Sequence, residues 1–121
     1  MIVAGFGFRE GADLASLVDA LTLAQAGNPS VRALATLLDK VPLVERLAGL
    51  LGVPFLAFGT ESMAAMPTIT RSPISFASRG TGSVAEAVAL VAAGPGARLL
   101  SPRHISPDRM ATCALAQGVS Q

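Results

Sequence analysis

Residues 2–27, IVAGFGFREGADLASLVDALTLAQAG, change their period at Asp13. The first seven, IVAGFGF, are apolar and rich in Gly and Phe. They read as a buried strand, with Gly5 and Gly7 letting another group approach the backbone closely. Arg9, Glu10 and Gly11 form a loop. From Asp13 onward, Leu14, Leu17, Val18, Leu21 and Ala24 recur at helical spacing, with Asp13 as N-cap and Gly27 as the stop. A strand, a loop and a helix in this order open a βαβ unit.

The rest of the chain continues that pattern. Asn28-Pro29-Ser30 is a turn, Ala33 to Leu38 a second strand, and Asp39-Lys40 its end. Pro42 suits the first turn of a second helix, whose apolar face is Leu43, Val44, Leu47, Leu50 and Leu51. Gly52 and Pro54 end it, and Phe55 to Phe58 is a third strand. Such βαβαβ order implies a parallel sheet. Thr60 can cap a short helix through Met66, and Ser72-Pro73 can start another segment. A loop at Gly80–Ser83 leads into a capping box, Ser83 with Glu86. In that helix Val84, Ala87, Val88 and Val91 pack inward, and Gly94-Pro95-Gly96 stops it. Two last strands, Ala97–Ser101 and Met110–Ala116, are joined by a turn-rich link, Pro102 to Asp108. That link is too short for a parallel crossover, so the pair is an antiparallel hairpin. The expected fold is α/β: three layers, α/β/α, with a mixed, mainly parallel sheet and a C-terminal antiparallel hairpin. Residues 1–121 make a single domain.

Composition excludes several functions. Net charge is +1, so there is no basic footprint for nucleic acid, and the absence of Trp and Tyr leaves little to stack bases on. One Cys and one His exclude a disulfide scaffold and a Cys/His zinc site. No apolar run suggests a membrane span, and the N-terminus lacks a basic signal region. With the lone thiol of Cys113, this points to a reducing, cytoplasmic setting. Charged residues are only 14% and apolar ones 51%, which predicts apolar surface committed to a partner, a ligand or a second copy. A homodimer is the commonest form of self-association. No metal or cofactor is called for.

In open α/β sheets ligands bind at the carboxyl ends of the parallel strands. The Gly5–Gly11 loop, Asp39-Lys40 and Phe58-Gly59-Thr60 should converge there, joined by Gly80–Ser83 at a helix N-terminus. Free N–H groups there, with Arg9, Lys40, Arg79 or Arg103, would favour anions. Gly5-x-Gly7-x-x-x-Gly11 is one residue off the dinucleotide fingerprint, and Asp39 lies later than its acidic partner should. A nucleotide or phosphate site, a plain tight turn and a different ligand all stay open. No nucleophile–base pair can be assigned from spacing; His104 falls in a turn region and Cys113 in an apolar strand.

Four segments together resemble the CobE family and the C-terminal domain of CbiG, of cobalamin (vitamin B12) biosynthesis. They are Gly5-Phe6-Gly7-Phe8-Arg9-Glu10-Gly11, Leu34-Ala35-Thr36-Leu37-Leu38-Asp39-Lys40, Thr81-Gly82-Ser83-Val84-Ala85-Glu86-Ala87 and Leu99-Leu100-Ser101-Pro102-Arg103. In that family a small or polar residue usually stands at Phe8, a basic one at Glu10 and often Lys at Arg103. The resemblance implies a precorrin or corrin intermediate as ligand, with a carrier or accessory role beside another pathway enzyme. The alternative it implies is a hydrolase opening the lactone of a precorrin-5-type intermediate. Motif position carries over Gly5, Gly7, Arg9, Lys40, Thr81, Gly82 and Ser83. A flat apolar macrocycle ringed by carboxylates wants apolar walls, which Phe6, Phe8 and Phe58 would supply, and anion donors.

Overall fold

Alternation along β1 (Ile2–Phe8) divides the molecule into two unlike halves. Ile2, Ala4 and Phe6 point into one core and Val3 into another, as the period of two requires. The computed structural model describes residues 2–28, 30–59, 84–94 and 96–118. Within them the order is β1, α1 (Leu14–Gln25), β2 (Ala33–Leu37), α2 (Val41–Leu51), β3 (Phe55–Phe58), α3 (Val84–Ala93), β4 (Arg98–Ile105) and β5 (Ala111–Gln117). The sheet runs β3-β2-β1-β5-β4. Its pairs β1–β2 and β2–β3 are parallel, while β1–β5 and β4–β5 are antiparallel. The expected three-layer α/β fold with a C-terminal hairpin is thus the observed one, and the strand order, which periodicity leaves open, is now set.

The two crossovers β1–α1–β2 and β2–α2–β3 step in the same direction, so the handedness rule puts both helices on one face. There Phe6, Leu17, Leu34, Val44, Leu47 and Leu115 form the main core. Each such side chain contributes about 1.5–3 kcal/mol on burial. The other face is built from small residues. Val3, Ala33, Ala35 and Leu37 meet Ala87 and Val88 of α3, and Ala116 meets Ala89 and Leu90. The cause is Gly5. A Cβ there would lie 2.1 Å from the Ala85 carbonyl oxygen and 2.8 Å from the Ala89 Cβ. Helix α3 therefore rests on the backbone of β1, and only glycine permits it.

The local signals hold in detail at α1. Asp13 is its N-cap and accepts the Ser16 N–H at 3.0 Å, and the Ser16 side chain completes a capping box. Gly52 closes α2 in the left-handed region, its N–H donating to the Ala48 carbonyl. Several boundaries and faces differ. The second strand ends at Leu37, and Leu38–Lys40 form one 3-10 turn. Val18 is 40% exposed, and Leu50 and Leu51 are 69% and 45% exposed, so they leave the predicted inner faces. Helix α2 packs against β2 and β3, and β3 is a four-residue edge strand that offers little sheet beneath the last turn. Strand β4 runs on through Pro102, Arg103 and His104 to Ile105, so the hairpin link is 106–110 and His104 is a strand residue. Proline is tolerated because β4 is an edge strand and because its register with β5 shifts there in a bulge. The predicted segments at Thr60–Met66, Ser72-Pro73 and Gly80–Ser83, with Arg79, lie outside the described residues.

Two glycines should answer oppositely to alanine. Gly5→Ala forces backbone apart and should cost about 3 kcal/mol or more in urea unfolding. Gly49→Ala, in α2 with nothing within 4 Å of the new Cβ, should raise stability by up to about 1 kcal/mol. An unchanged midpoint for Gly5→Ala would rule out the close crossing.

Candidate functional site

The carboxyl ends of β1, β2 and β3 fall at one edge of the sheet, and α3 starts there too. Val84 stands against Gly7, whose Cβ would meet the Val84 Cβ at 3.3 Å, while Ala89 lies over Gly5 further down the strand. The β4–β5 turn reaches the same edge, because Phe8 pairs with Ala111. Five segments, the ends of β1, β2 and β3, the start of α3 and the 106–110 turn, therefore border one rim.

Two predicted site residues meet on it. Lys40, in the turn after β2, places its Nζ 5.3 Å from the centre of the Phe8 ring at the end of β1. Both are half-buried. Such a cation–π contact is worth about 0.5–1 kcal/mol when partly exposed. A hydrogen bond to a charged group is worth about 1.5–3 kcal/mol. A ligand carboxylate would therefore win the ammonium from the ring, and the ring face would be left for apolar contact. Arg9 is exposed beside them, and its backbone N–H donates to the Met110 carbonyl at 2.9 Å.

Other predicted residues have different work. Phe6 is wholly buried in the main core, which corrects its place as a pocket wall: it shares a face with Phe8 but lies two residues back from the strand end, under α1 and α2. Gly5 is likewise corrected, since α3 and not a ligand makes the close approach to it. Gly7 lies on the α3 face, and its carbonyl accepts the Thr112 hydroxyl at 3.0 Å. Phe58 is half-buried at the end of β3. Thr81, Gly82 and Ser83 lie outside the described residues.

One helix start at the rim is already occupied. Ser16 in the first turn of α1 donates its hydroxyl to Asp108 Oδ2 at 2.6 Å, while Asp13 caps its N–H. Asp108 belongs to the hairpin turn and also accepts from the Ser106 hydroxyl and the Met110 N–H. Two carboxylates thus satisfy the positive end of α1, and a bound anion would meet repulsion there. The hydroxyl of Ser106, then that of Ser16, then the Met110 N–H hold the Asp108 carboxyl below its ordinary value. The turn itself puts Arg109 at φ 61°.

Two further arrangements escaped sequence reasoning. Glu86 is wholly buried, and its Oε2 accepts the Arg103 backbone N–H at 3.0 Å, tying α3 to β4. A capping box predicts a surface carboxylate, and no sequence signal places β4 against it. Ser101 Oγ and His104 Nε2 lie 2.9 Å apart, a pairing that exists only because His104 is in the strand. Cys113 is buried as expected, which pushes its thiol up. Among the described residues no cluster of three or more His, Cys, Asp or Glu could hold a metal, and no helix is long and apolar enough to cross a membrane.

Fold and rim together define an open α/β domain, a class whose ligands sit at the strand carboxyl ends. The model of the family "Cobalamin synthesis G C-terminus" matches residues 2–116, and the chain belongs to that family. It is a protein of cobalamin biosynthesis. The crystal structure of CobE, a protein from the cobalamin biosynthetic pathway, is 28% identical over 100% of this chain and 92% of that one, with a TM-score of 0.87. The cobalamin biosynthesis protein chiG from Agrobacterium tumefaciens str. C58 is 32% identical over 99% and 100%, with a TM-score of 0.72. A homolog of cobalamin biosynthesis protein G from Sulfolobus solfataricus shares the fold at 18% identity and a TM-score of 0.69; the match covers 95% of this chain and 36% of that one. No curated protein matches the chain.

Asp108 should give the protein an acid-sensitive component of stability. A carboxyl with a lowered folded-state pKa stabilises above its unfolded value, here 3.8, and that contribution is lost as pH falls through the folded value. The gap in urea midpoint between wild type and Asp108→Asn should therefore be flat from about pH 7 to 5 and close below about pH 4. A gap that widens in acid would contradict the assignment.

Proposed function

We propose that this domain binds a corrin intermediate of cobalamin biosynthesis at the rim and acts as its carrier or as accessory to a pathway enzyme. The observation that carries this reading is the Lys40–Phe8 contact. It brings a cation and an aromatic face from two separate strands to one point of the ligand edge. A corrin intermediate presents the matching chemistry, a flat apolar ring bordered by carboxylates. Arg9 adds a second cation and Phe58 a second apolar group, and Thr81, Gly82 and Ser83 join the reading through the family motif they match. Membership of the family and the likeness to CobE support the ligand class.

The lactone-opening alternative has one observation on its side, the Ser101–His104 contact. Ser101 is only 5% exposed, so its hydroxyl is shielded by the protein itself. A nucleophile so placed is shielded from a ligand held at Lys40, and binding without bond cleavage is the reading adopted.

Titration with a hydrogenobyrinic-type corrinoid, followed by visible absorbance and gel filtration, tests it. The ligand should co-elute with a shifted spectrum and an unchanged mass. Arg9→Ala with Lys40→Ala should weaken binding by roughly ten-fold or more, from the loss of charge-assisted hydrogen bonds. Altered ligand mass would make the protein an enzyme. No retention, or unchanged affinity in the double variant, would overturn the rim as the binding site.

A further inference from the structure

Among the described residues, one buried side-chain nitrogen or oxygen lacks a hydrogen-bond partner, and it is Arg103 Nε. Native proteins seldom bury a charged donor unmet, because nothing then replaces the water it gave up. The backbone beneath it is held from two sides. Pro102 and Arg103 fall between the pairs Ser101–Leu115 and His104–Cys113, so the two of them oppose Ala114 alone in a bulge. The Arg103 N–H then goes to the buried carboxylate of Glu86 in the first turn of α3. Bulges re-aim side chains at functional sites. Ala114 in turn pairs with Gly5, which Ala85 covers, so the bulge sits level with the opening turn of α3.

The sheet order sets the distance across. Strands β2 and β4 are three strand spacings apart, roughly 14 Å at about 4.8 Å each. Lys40 follows β2 and Arg103 lies two residues before the end of β4. The backbones that carry the two cations thus lie about that far apart across the sheet, with Lys40 further along toward the carboxyl edge, a span that a rigid ring with several peripheral carboxylates can bridge and a small monoanion cannot.

The geometry points to Arg103 as a third carboxylate-binding residue beside Lys40 and Arg9, with its Nε–H as donor, and so to a corrinoid whose peripheral carboxylates are still free. This rests on the corrin reading above. The guanidinium meets a carboxylate with paired donors, which a lysine at this position would not offer.

The test compares dicyanocobyrinic acid, whose side chains end in carboxylates, with its methyl ester, which keeps the ring and loses the charges. Wild type should bind the acid more tightly than the ester. Arg103→Gln should weaken the acid by roughly ten-fold, the size of one charge-assisted hydrogen bond, and leave the ester unchanged. Its backbone N–H still reaches Glu86, so its thermal midpoint should match wild type. In wild type, the Arg103 Nε–H resonance should shift when the acid is added and stay in place with the ester, a readout that needs no variant to fold. If wild type binds the acid and Arg103→Gln loses nothing, or loses acid and ester equally, the assignment to Arg103 is wrong and the corrin reading stands. If wild type binds neither compound, the corrin reading falls and takes this one with it.

Discussion

The crossing of α3 over β1 at Gly5 is the contact on which half of this molecule depends. The helix sits so close that the carbonyl of Ala85 occupies the space of a side chain. Everything around it must then be small or flat: Ala33 and Ala35 on β2, Ala116 on β5, and Ala87 and Ala89 on the helix. The opposite face carries no such restriction and fills with Phe6, Leu17, Leu34 and Leu47. Volume is thus distributed unequally between the layers, and the glycine-rich first strand is the reason. The same crossing delivers the start of α3 to the carboxyl edge of the sheet, beside Gly7. Packing on one face and ligand geometry at the rim are therefore one constraint.

The rim draws on that arrangement selectively. Its α1 side is closed by Asp13 and Asp108, which neutralise the helix start and lock the hairpin turn to Ser16. Its other cations remain available: Lys40 resting on Phe8, Arg9 exposed, and Arg103 with a donor unmet. An anion would be repelled from one helix start and would meet cations elsewhere along the edge. A flat polyacid fits this division better than a nucleotide, which would seek the first βα turn, the place the two aspartates occupy.

Much of this was legible in the residues, and the rest was hidden for identifiable reasons. Change of period at Asp13, the glycine stops and the short final link were enough for the βαβαβ order and the hairpin. The glycines at 5 and 7 announced a close approach but not by what, because a ligand and a helix make the same demand on a backbone. Contacts between distant segments carry no local signal: Ser16 and Asp108 are 92 residues apart. Leu50 and Leu51 obey helical spacing and still face outward, since spacing reports a stripe and not how much sheet lies under it. Pro102 read as the end of a strand because proline costs most in the middle of a sheet, and β4 proved to be an edge.

The position of β5 has a consequence for synthesis. It is the last of the five described strands in chain order, yet it lies inside the sheet, between β1 and β4. Until residue 117 has left the ribosome, β1 keeps one whole edge unpaired. The parallel half cannot complete its core alone, because Ala111, Cys113 and Leu115 are missing from it. Folding of this domain therefore waits for β5, whose pairing with β1 joins residues as distant as Ile2 and Gln117, a high contact order for so small a domain. A nascent chain of this protein spends its whole elongation with an apolar strand edge open, the condition in which chaperones matter most.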